Sequence, residues 1–149
     1  MKFTFGEHKG KSVDFVILKE PDYVQWILSM SNANGPLIQV RNEVLRLISI
    51  FDSKPFIIKC FGCKRRPATR LSLAHPTSSP YWWCDVCSHL SMGCDSHLTI
   101  VRTYENALLY SKLFPQSFDL KSFILDLAKA KGLPPRVGEP QATNFFDAI

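Results

Sequence analysis

The sequence predicts an α+β fold in which helical segments precede and follow a small cysteine-rich unit. Apolar residues recur at helical spacing on both sides of the centre of the chain, whereas the centre holds short aromatic runs beside two C-x-x-C pairs. The chain has 149 residues, of which 46% are hydrophobic. That length suits one domain, or two very small ones that share an interface, and the composition excludes wholesale disorder.

Residues 1–53 are predicted to form a hairpin-helix module. Alternating phenylalanines at the start and two glycines within residues 6–11 favour a short hairpin with a tight turn. A helix is expected from Pro21, which suits a first helical position, to a break at residues 32–35. A second helix is expected over residues 36–52, whose apolar side chains form one stripe.

Residues 54–99 are predicted to form a zinc ribbon. The apolar run 56–58 and the aromatic run 81–83 are expected to be strands that enter the first and second cysteine pairs. Between them, residues 67–80 are rich in Ser, Thr and Pro, and a loop is expected there.

Residues 100–132 are predicted to be a helical packing segment. The apolar pattern predicts a helix over residues 100–114, which a following proline stops. A last helix is expected to begin with Ser117 or Asp119 as its N-cap and to end at Gly132.

Residues 133–149 are predicted to be a flexible tail, because three prolines interrupt them. Phe145, Phe146 and Ile149 at its end form a candidate motif for docking into a groove on a larger protein complex. The alternative is that the tail packs back on its own domain.

Four cysteines form the clearest candidate site. Cys60 and Cys63 make one C-x-x-C pair, Cys84 and Cys87 make the other, and 20 residues separate the pairs, as in zinc ribbons. Two such knuckles facing each other complete a tetrahedral thiolate shell with no open position, so one structural zinc ion is expected. Zinc binding of this kind supplies about 10 to 16 kcal/mol of apparent folding free energy, so removing it should unfold the ribbon.

Other ligand sets and chemistries stay open at this point. Cys94 and His97 form a third pair downstream, and together with Cys84 and Cys87 they could close a compact site of three thiolates and one imidazole. The remaining possibilities are substitution by His75 or His89, an iron-sulfur cluster, or reduced cysteines without metal.

Positive charge is concentrated around these cysteines. The formal net charge is +5, and the residues between Ser53 and Cys84 include six basic side chains and no acidic one. Such a patch attracts polyanions, and nucleic acid is the expected partner, DNA rather than RNA. The alternative is that these basic residues belong to a solvated loop and serve only to keep it soluble. The candidate contacts are Lys9, Lys11, Lys59, Lys64, Arg65, Arg66, Arg70, Trp82 and Trp83. Neighbouring residues in a strand point to opposite faces, so one of these tryptophans must face the core.

The N-terminal residues resemble a known family. Phe5-Gly6, His8-Lys9-Gly10-Lys11, Pro21-Asp22-Tyr23 and Trp26 match the small domain at the C-terminus of exodeoxyribonuclease X-like proteins. The resemblance implies a module that accompanies a nuclease rather than being one. Glu7 departs from the basic residue of that pattern. The turn is not a phosphate loop, because three residues separate its glycines where that motif needs four.

These features together predict an accessory factor rather than an enzyme. No cluster of carboxylates and no nucleophile-base spacing is readable, so we expect no catalytic residues. The predicted function is nucleic-acid binding as a small subunit of a transcription, replication or repair assembly. A protein-interaction adaptor and a nuclease-associated enzyme component are the alternatives. No leader or membrane-spanning stretch is readable, and the paired cysteines suit a reducing compartment, cytoplasmic or nuclear.

Overall fold

The structure is a computed structural model that describes residues 1–74, 80–87, 98–113 and 119–147. Within these residues it contains helices and one three-stranded antiparallel sheet, which confirms the α+β class. The helices are α1 Val13–Lys19, α2 Pro21–Ser29, α3 Pro36–Ser53, α4 Tyr104–Leu113, α5 Leu120–Ala130 and α6 Glu139–Asp147. The strands are β1 Arg70–Ala74, β2 Pro80–Trp83 and β3 Leu98–Val101, in the spatial order β2-β1-β3.

The N-terminal hairpin has the predicted tight turn. Lys2 and Ser12 form an antiparallel bridge, and the Phe3 N–H donates to the Lys11 carbonyl over 2.9 Å. Ser12 then caps α1, since its hydroxyl accepts a hydrogen bond from the Phe15 N–H at 3.2 Å. The hairpin therefore leads directly into a helix that the periodicity did not predict.

The helices predicted from Pro21, over residues 36–52 and before Gly132 are confirmed as α2, α3 and α5. α2 and α3 both begin with proline, and α3 continues one residue beyond the predicted end. Asp119 is the N-cap of α5, because its carboxylate accepts from the Ser122 N–H. Gly132 follows the helix with φ +112°, a conformation that favours glycine.

Three predictions about the centre of the chain are wrong. The stretch expected to be a loop contains β1, which pairs with both other strands. Residues 56–58 are not a strand of the sheet, since the Ile57 N–H instead donates to the Ala130 carbonyl at the end of α5 over 2.7 Å. Residues 100 and 101, expected to be helical, belong to β3, and α4 starts only at Tyr104. The helix starts there because the Thr103 hydroxyl accepts a hydrogen bond from the Asn106 N–H and so caps its first turn.

The C-terminal tail is helical rather than flexible over the residues of α6. Ala142, Phe145 and Phe146 form the buried face of this helix. The Glu139 carboxylate also accepts a hydrogen bond from the Ser12 N–H at 3.0 Å, 127 positions earlier in the chain. Burial of two phenylalanines outweighs the effect of the prolines, which precede the helix or lie in its first turn.

One hydrophobic core extends from Phe3 to Phe146 and includes residues from the helices and one face of the sheet. On that face, Leu71 pairs with Val101 on one side and Trp82 on the other. The predicted segment boundaries therefore do not separate independent cores. A second, smaller cluster lies with Trp83 and the cysteines. No helix among the described residues is both long and apolar enough to cross a membrane.

Candidate metal centre

The first knuckle is a closed turn held by its own backbone. The Lys64 N–H donates to the Cys60 carbonyl, and the Cys60 N–H donates to the Arg66 carbonyl, both over 2.9 Å. The Gly62 N–H donates to the Cys60 sulfur at 3.3 Å. Lys64 adopts φ +58°, a left-handed conformation that lets the chain turn back after Cys63. The turn is therefore fixed by the backbone of the residues that contain and follow its two cysteines.

The second knuckle follows β2 and is fixed by neighbouring residues. The Phe61 N–H donates to the Trp82 carbonyl over 2.7 Å, which joins the first knuckle to β2 just before Cys84. Arg70 on β1 donates to the Cys87 carbonyl over 2.7 Å. The sheet thus positions the two knuckles against each other.

The four cysteines predicted as ligands are brought together. The sulfur atoms of Cys60, Cys63, Cys84 and Cys87 all lie within 4.8 Å of one another, and those of Cys63 and Cys84 are 4.0 Å apart. A tetrahedral site with metal-sulfur bonds of about 2.3 Å has sulfur-sulfur edges of about 3.8 Å. The cluster fits such a site after small adjustments, and the four thiolates could hold one metal ion.

Hydrogen bonds to sulfur favour the thiolate form at part of this cluster. The backbone N–H groups of Cys87 and Val86 point at the Cys84 sulfur and lower its pKa to about 6. Those of Arg66 and Arg65 lower the pKa of Cys63 in the same way. N–H groups aimed at sulfur stabilise negative charge there before any ion binds.

Cys87 shows the opposite effect. Burial, reinforced by the neighbouring Cys84 and Cys60 sulfurs, raises its pKa to about 12. Without a bound cation, ionisation of the Cys87 thiol is therefore unfavourable once the other sulfurs of the cluster are negatively charged. A bound cation would remove that cost, since it attracts all four sulfurs.

The floor of the site is tightly packed. The indole of Trp83 is only 1% exposed and lies with Cys60 and Cys84 in the smaller cluster. A Cβ atom added to Gly62 would lie 3.1 Å from the Trp83 ring, 3.1 Å from the Cys87 Cβ and 3.2 Å from its sulfur. Glycine at this position lets the first knuckle approach the second.

The rival ligands lie outside the described residues. Cys94, His97, His75 and His89 all fall in segments whose placement the structure does not describe. The compact set of three thiolates and one imidazole therefore stays untested, whereas the ribbon set of four cysteines is assembled.

The basic residues near the cysteines have different surroundings. Lys64, Arg65 and Arg66 are exposed, and the Lys59 ammonium, also exposed, donates to the Arg65 carbonyl at 3.2 Å. Arg70 is half-buried and its guanidinium is engaged by Cys87. The structure thus leaves residues 64–66 at the surface and gives Arg70 a structural contact.

Trp83 is not an exposed stacking platform, so the prediction that it contacts nucleic acid is wrong. Trp83 is buried under the cysteines, and Trp82 is half-buried on the opposite face of the sheet, 5.3 Å from the Phe56 ring. Among the described residues of the two knuckles, the exposed aromatic one is Phe61, which is 46% exposed and lies 4.7 Å from the Tyr81 ring. Its position between two inward-pointing cysteines was the signal that sequence reasoning missed.

The other predicted contacts are distant in sequence from the cysteines. Lys9 and Lys11 are exposed on the N-terminal turn, and the Lys11 ammonium lies 5.9 Å from the Phe15 ring. The docking motif is not available at the surface, because Phe145 and Phe146 belong to the core. Ile149 lies outside the described residues.

The four-cysteine cluster is therefore identified from its own geometry. Comparisons with protein-family models, with curated proteins and with solved structures found no significant match to this chain.

Proposed function

We propose that this protein is a nucleic-acid-binding module in which one structural zinc ion fixes a basic, aromatic surface. We call this the knuckle surface and define it by Phe61, Lys64, Arg65, Arg66 and Tyr81. The observation that carries the proposal is the exposure of three consecutive cations beside an exposed aromatic ring on a turn closed by a candidate metal centre. DNA is the favoured ligand.

Zinc is the metal that suits the donor set. Four cysteine sulfurs in two C-x-x-C knuckles are characteristic of structural zinc, and calcium or magnesium would require oxygen donors. A shell of four thiolates offers no open position for water or substrate. The ion would therefore hold the knuckles together, and we place no catalytic step at this centre.

The charges of the knuckle surface are available to a polyanion. Among the described residues no carboxylate forms an ion pair with Lys64, Arg65 or Arg66. Unpaired cations on one turn can each neutralise a phosphate and release its condensed counterions. Affinity gained in this way falls with salt by roughly 0.7 to 0.9 log units per log unit for each contact.

The aromatic residues favour single strands over duplex. Phe61 and Tyr81 lie side by side on the same sheet face as the cysteine cluster. Exposed aromatic rings stack on unpaired bases, which a duplex does not offer, and each stacked base contributes about 1 to 3 kcal/mol. We therefore expect a single-stranded ligand to use both parts of the knuckle surface.

The test is a charge reversal with a matched control. Lys64, Arg65 and Arg66 are changed to Glu together, and binding to single- and double-stranded DNA and RNA is followed across a salt titration. Loss of three phosphate contacts should reduce the slope of log affinity against log salt by about 2 to 3. The control carries the same change at Lys112, Lys121 and Lys129, which are exposed on α4 and α5. Equal slopes for the two triple variants would refute the proposal.

A further inference from the structure

The N-terminal turn and α2 line an open cleft that contains none of the four clustered cysteines. Its volume is about 720 Å³, and the residues that line it are Gly6, Glu7, His8, Glu20, Asp22, Tyr23 and Trp26. Half of the residues of the N-terminal sequence motif therefore line one opening, namely Gly6, His8, Asp22, Tyr23 and Trp26. The proposed nucleic-acid function leaves these residues without a role.

One wall of the cleft is aromatic. The Trp26 side chain is 45% exposed and its ring lies 5.2 Å from that of Tyr23, with 34° between the ring planes. Tyr23 in turn meets His8 edge to face at 4.5 Å. Gly6 allows this close approach, because a Cβ atom there would lie 2.8 Å from the Tyr23 hydroxyl. The turn thus fixes an aromatic stack with its outer tryptophan open to solvent.

The remaining lining residues make the cleft acidic. Glu7, Glu20 and Asp22 all line it, and it has no lysine or arginine among its lining residues. Glu7 lies 3.6 Å from the His8 Nε2, whereas Glu20 and Asp22 form no ion pair within the described residues. A phosphate would meet this charge unfavourably, although Lys9 and Lys11 lie on the same turn.

The wall also contains an unsatisfied polar atom. His8 is only 7% exposed, and its Nδ1 has no hydrogen-bond partner among the described residues. Buried polar atoms without a partner are rare and require an explanation. The Nδ1 atom is itself buried, so a water or a ligand group could reach it from the cleft only if part of the wall moved.

We propose that this cleft binds an organic cation, the alkylammonium or guanidinium group of a ligand, between the Trp26-Tyr23 stack and the three carboxylates. The negative faces of the aromatic rings attract such a cation, and the carboxylates of the same lining add electrostatic attraction. A basic side chain of a partner polypeptide and a free polyamine share this chemistry. The inference goes beyond nucleic-acid binding and does not depend on the metal centre.

The test uses the full chain and follows the backbone amide signals of Gly6 and His8 by NMR. The probes are tetramethylammonium, N-acetyl-arginine amide, spermidine and a short lysine- and arginine-containing peptide. We expect saturable shifts with the cations and none with tert-butanol, a neutral molecule of similar size to tetramethylammonium. Tighter binding of the arginine amide and the peptide would identify a polypeptide partner, and tighter binding of spermidine would identify a polyamine.

Two variants and one control complete the test. Trp26→Leu and the double variant Glu20→Gln/Asp22→Asn should each weaken cation binding at least tenfold. The control Glu105→Gln/Asp126→Asn removes the same charge from α4 and α5 and should leave binding unchanged. Absence of saturable shifts, or equal weakening by the control and the cleft variants, would overturn the proposal.

Discussion

Phe61 is the residue that most directly links the candidate metal centre to the proposed binding of nucleic acid. It lies between two cysteines whose sulfurs point inward, so its own ring is left at the surface beside Tyr81. We predict that Phe61→Ala weakens binding of single-stranded DNA by about 5- to 150-fold, the equivalent of one lost base stack. Fluorescence anisotropy with a labelled oligonucleotide measures this.

The control for that prediction is Leu109→Ala, which removes an exposed apolar side chain from α4. It should leave affinity unchanged. If both variants bind the oligonucleotide as tightly as the unmodified chain, Phe61 is not a stacking residue.

Gly62 belongs to the same turn but acts inward. A Cβ atom added at Gly62 would lie 3.1 Å from both the Trp83 ring and the Cys87 Cβ. A methyl group therefore fits only if Trp83 or Cys87 moves. We predict that Gly62→Ala lowers the free energy of unfolding by about 1 to 3 kcal/mol, as other overpacking substitutions do. Urea denaturation of the metal-loaded chain measures it.

Val86→Ala is the matched control, because Val86 lies on the second knuckle with its side chain exposed. It should change stability little. A Gly62→Ala chain as stable as the Val86→Ala chain would show that the two knuckles do not pack as closely as described.

At the scale of elements, Lys131 joins the ends of two helices. It follows α5, and its ammonium donates to the Phe51 carbonyl in the last turn of α3 over 2.6 Å. The Phe51 and Phe56 rings lie 4.8 and 5.0 Å from the same nitrogen. Burial lowers the pKa of Lys131 to about 8, although Asp52 opposes the shift. This amine therefore carries its charge at a cost in the folded chain.

The unfavourable burial of the Lys131 charge makes the stability of the folded chain depend on pH. Because the folded-state pKa is below the unfolded value, the folded chain releases this proton first as pH rises, and stability increases between about pH 8 and 10.5. We predict that this increase is about 1 to 2 kcal/mol after solvent screening is allowed for, and that Lys131→Met removes it. Urea denaturation at a series of pH values measures the difference between the chains.

Lys129→Met serves as the reference, since Lys129 is an exposed lysine of α5. Its stability should follow the pH dependence of the unmodified chain. Parallel curves for the Lys131→Met and unmodified chains would contradict the assigned pKa.

Local signals explain which elements the sequence predicts. Proline at the first position identified α2, an apolar stripe identified α3, and a cap at Ser117 or Asp119 identified α5, since all three signals are local in the sequence. β1 and β3 depend on partners distant in the chain, and the Ser-, Thr- and Pro-rich stretch around β1 resembles a loop when read alone. α6 is stabilised by packing of its apolar side chains in the core and by the hydrogen bond from Ser12 to Glu139. These partners are distant from α6 in the sequence, so no local signal predicts the helix.

The same distinction applies to the whole molecule. The cysteine cluster could be predicted because ligand spacing is a local property that the metal itself dictates. The proposed knuckle surface could not be predicted, because the exposure of each aromatic side chain depends on which face of the sheet meets the helices. That arrangement buries Trp83 beneath the cysteines, half-buries Trp82 on the helical side and leaves Phe61 open.

The sheet therefore has two environments. One face completes the core shared by the helices, and the other carries the smaller cluster around the cysteines. Removal of a bound metal ion would destabilise the face with the cysteines first, because few apolar contacts there could hold the two knuckles together without the ion. The proposed basic and aromatic surface depends on that face, so metal binding and nucleic-acid binding should be lost together.

The most direct test is the zinc content of the purified chain by elemental analysis, compared with the Cys63→Ser and Cys94→Ser variants. Cys63 belongs only to the four-cysteine ribbon set, and Cys94 belongs only to the compact alternative. We predict one zinc ion per chain, lost in Cys63→Ser and retained in Cys94→Ser. A chain without zinc, or one that keeps zinc in Cys63→Ser and loses it in Cys94→Ser, would contradict the account.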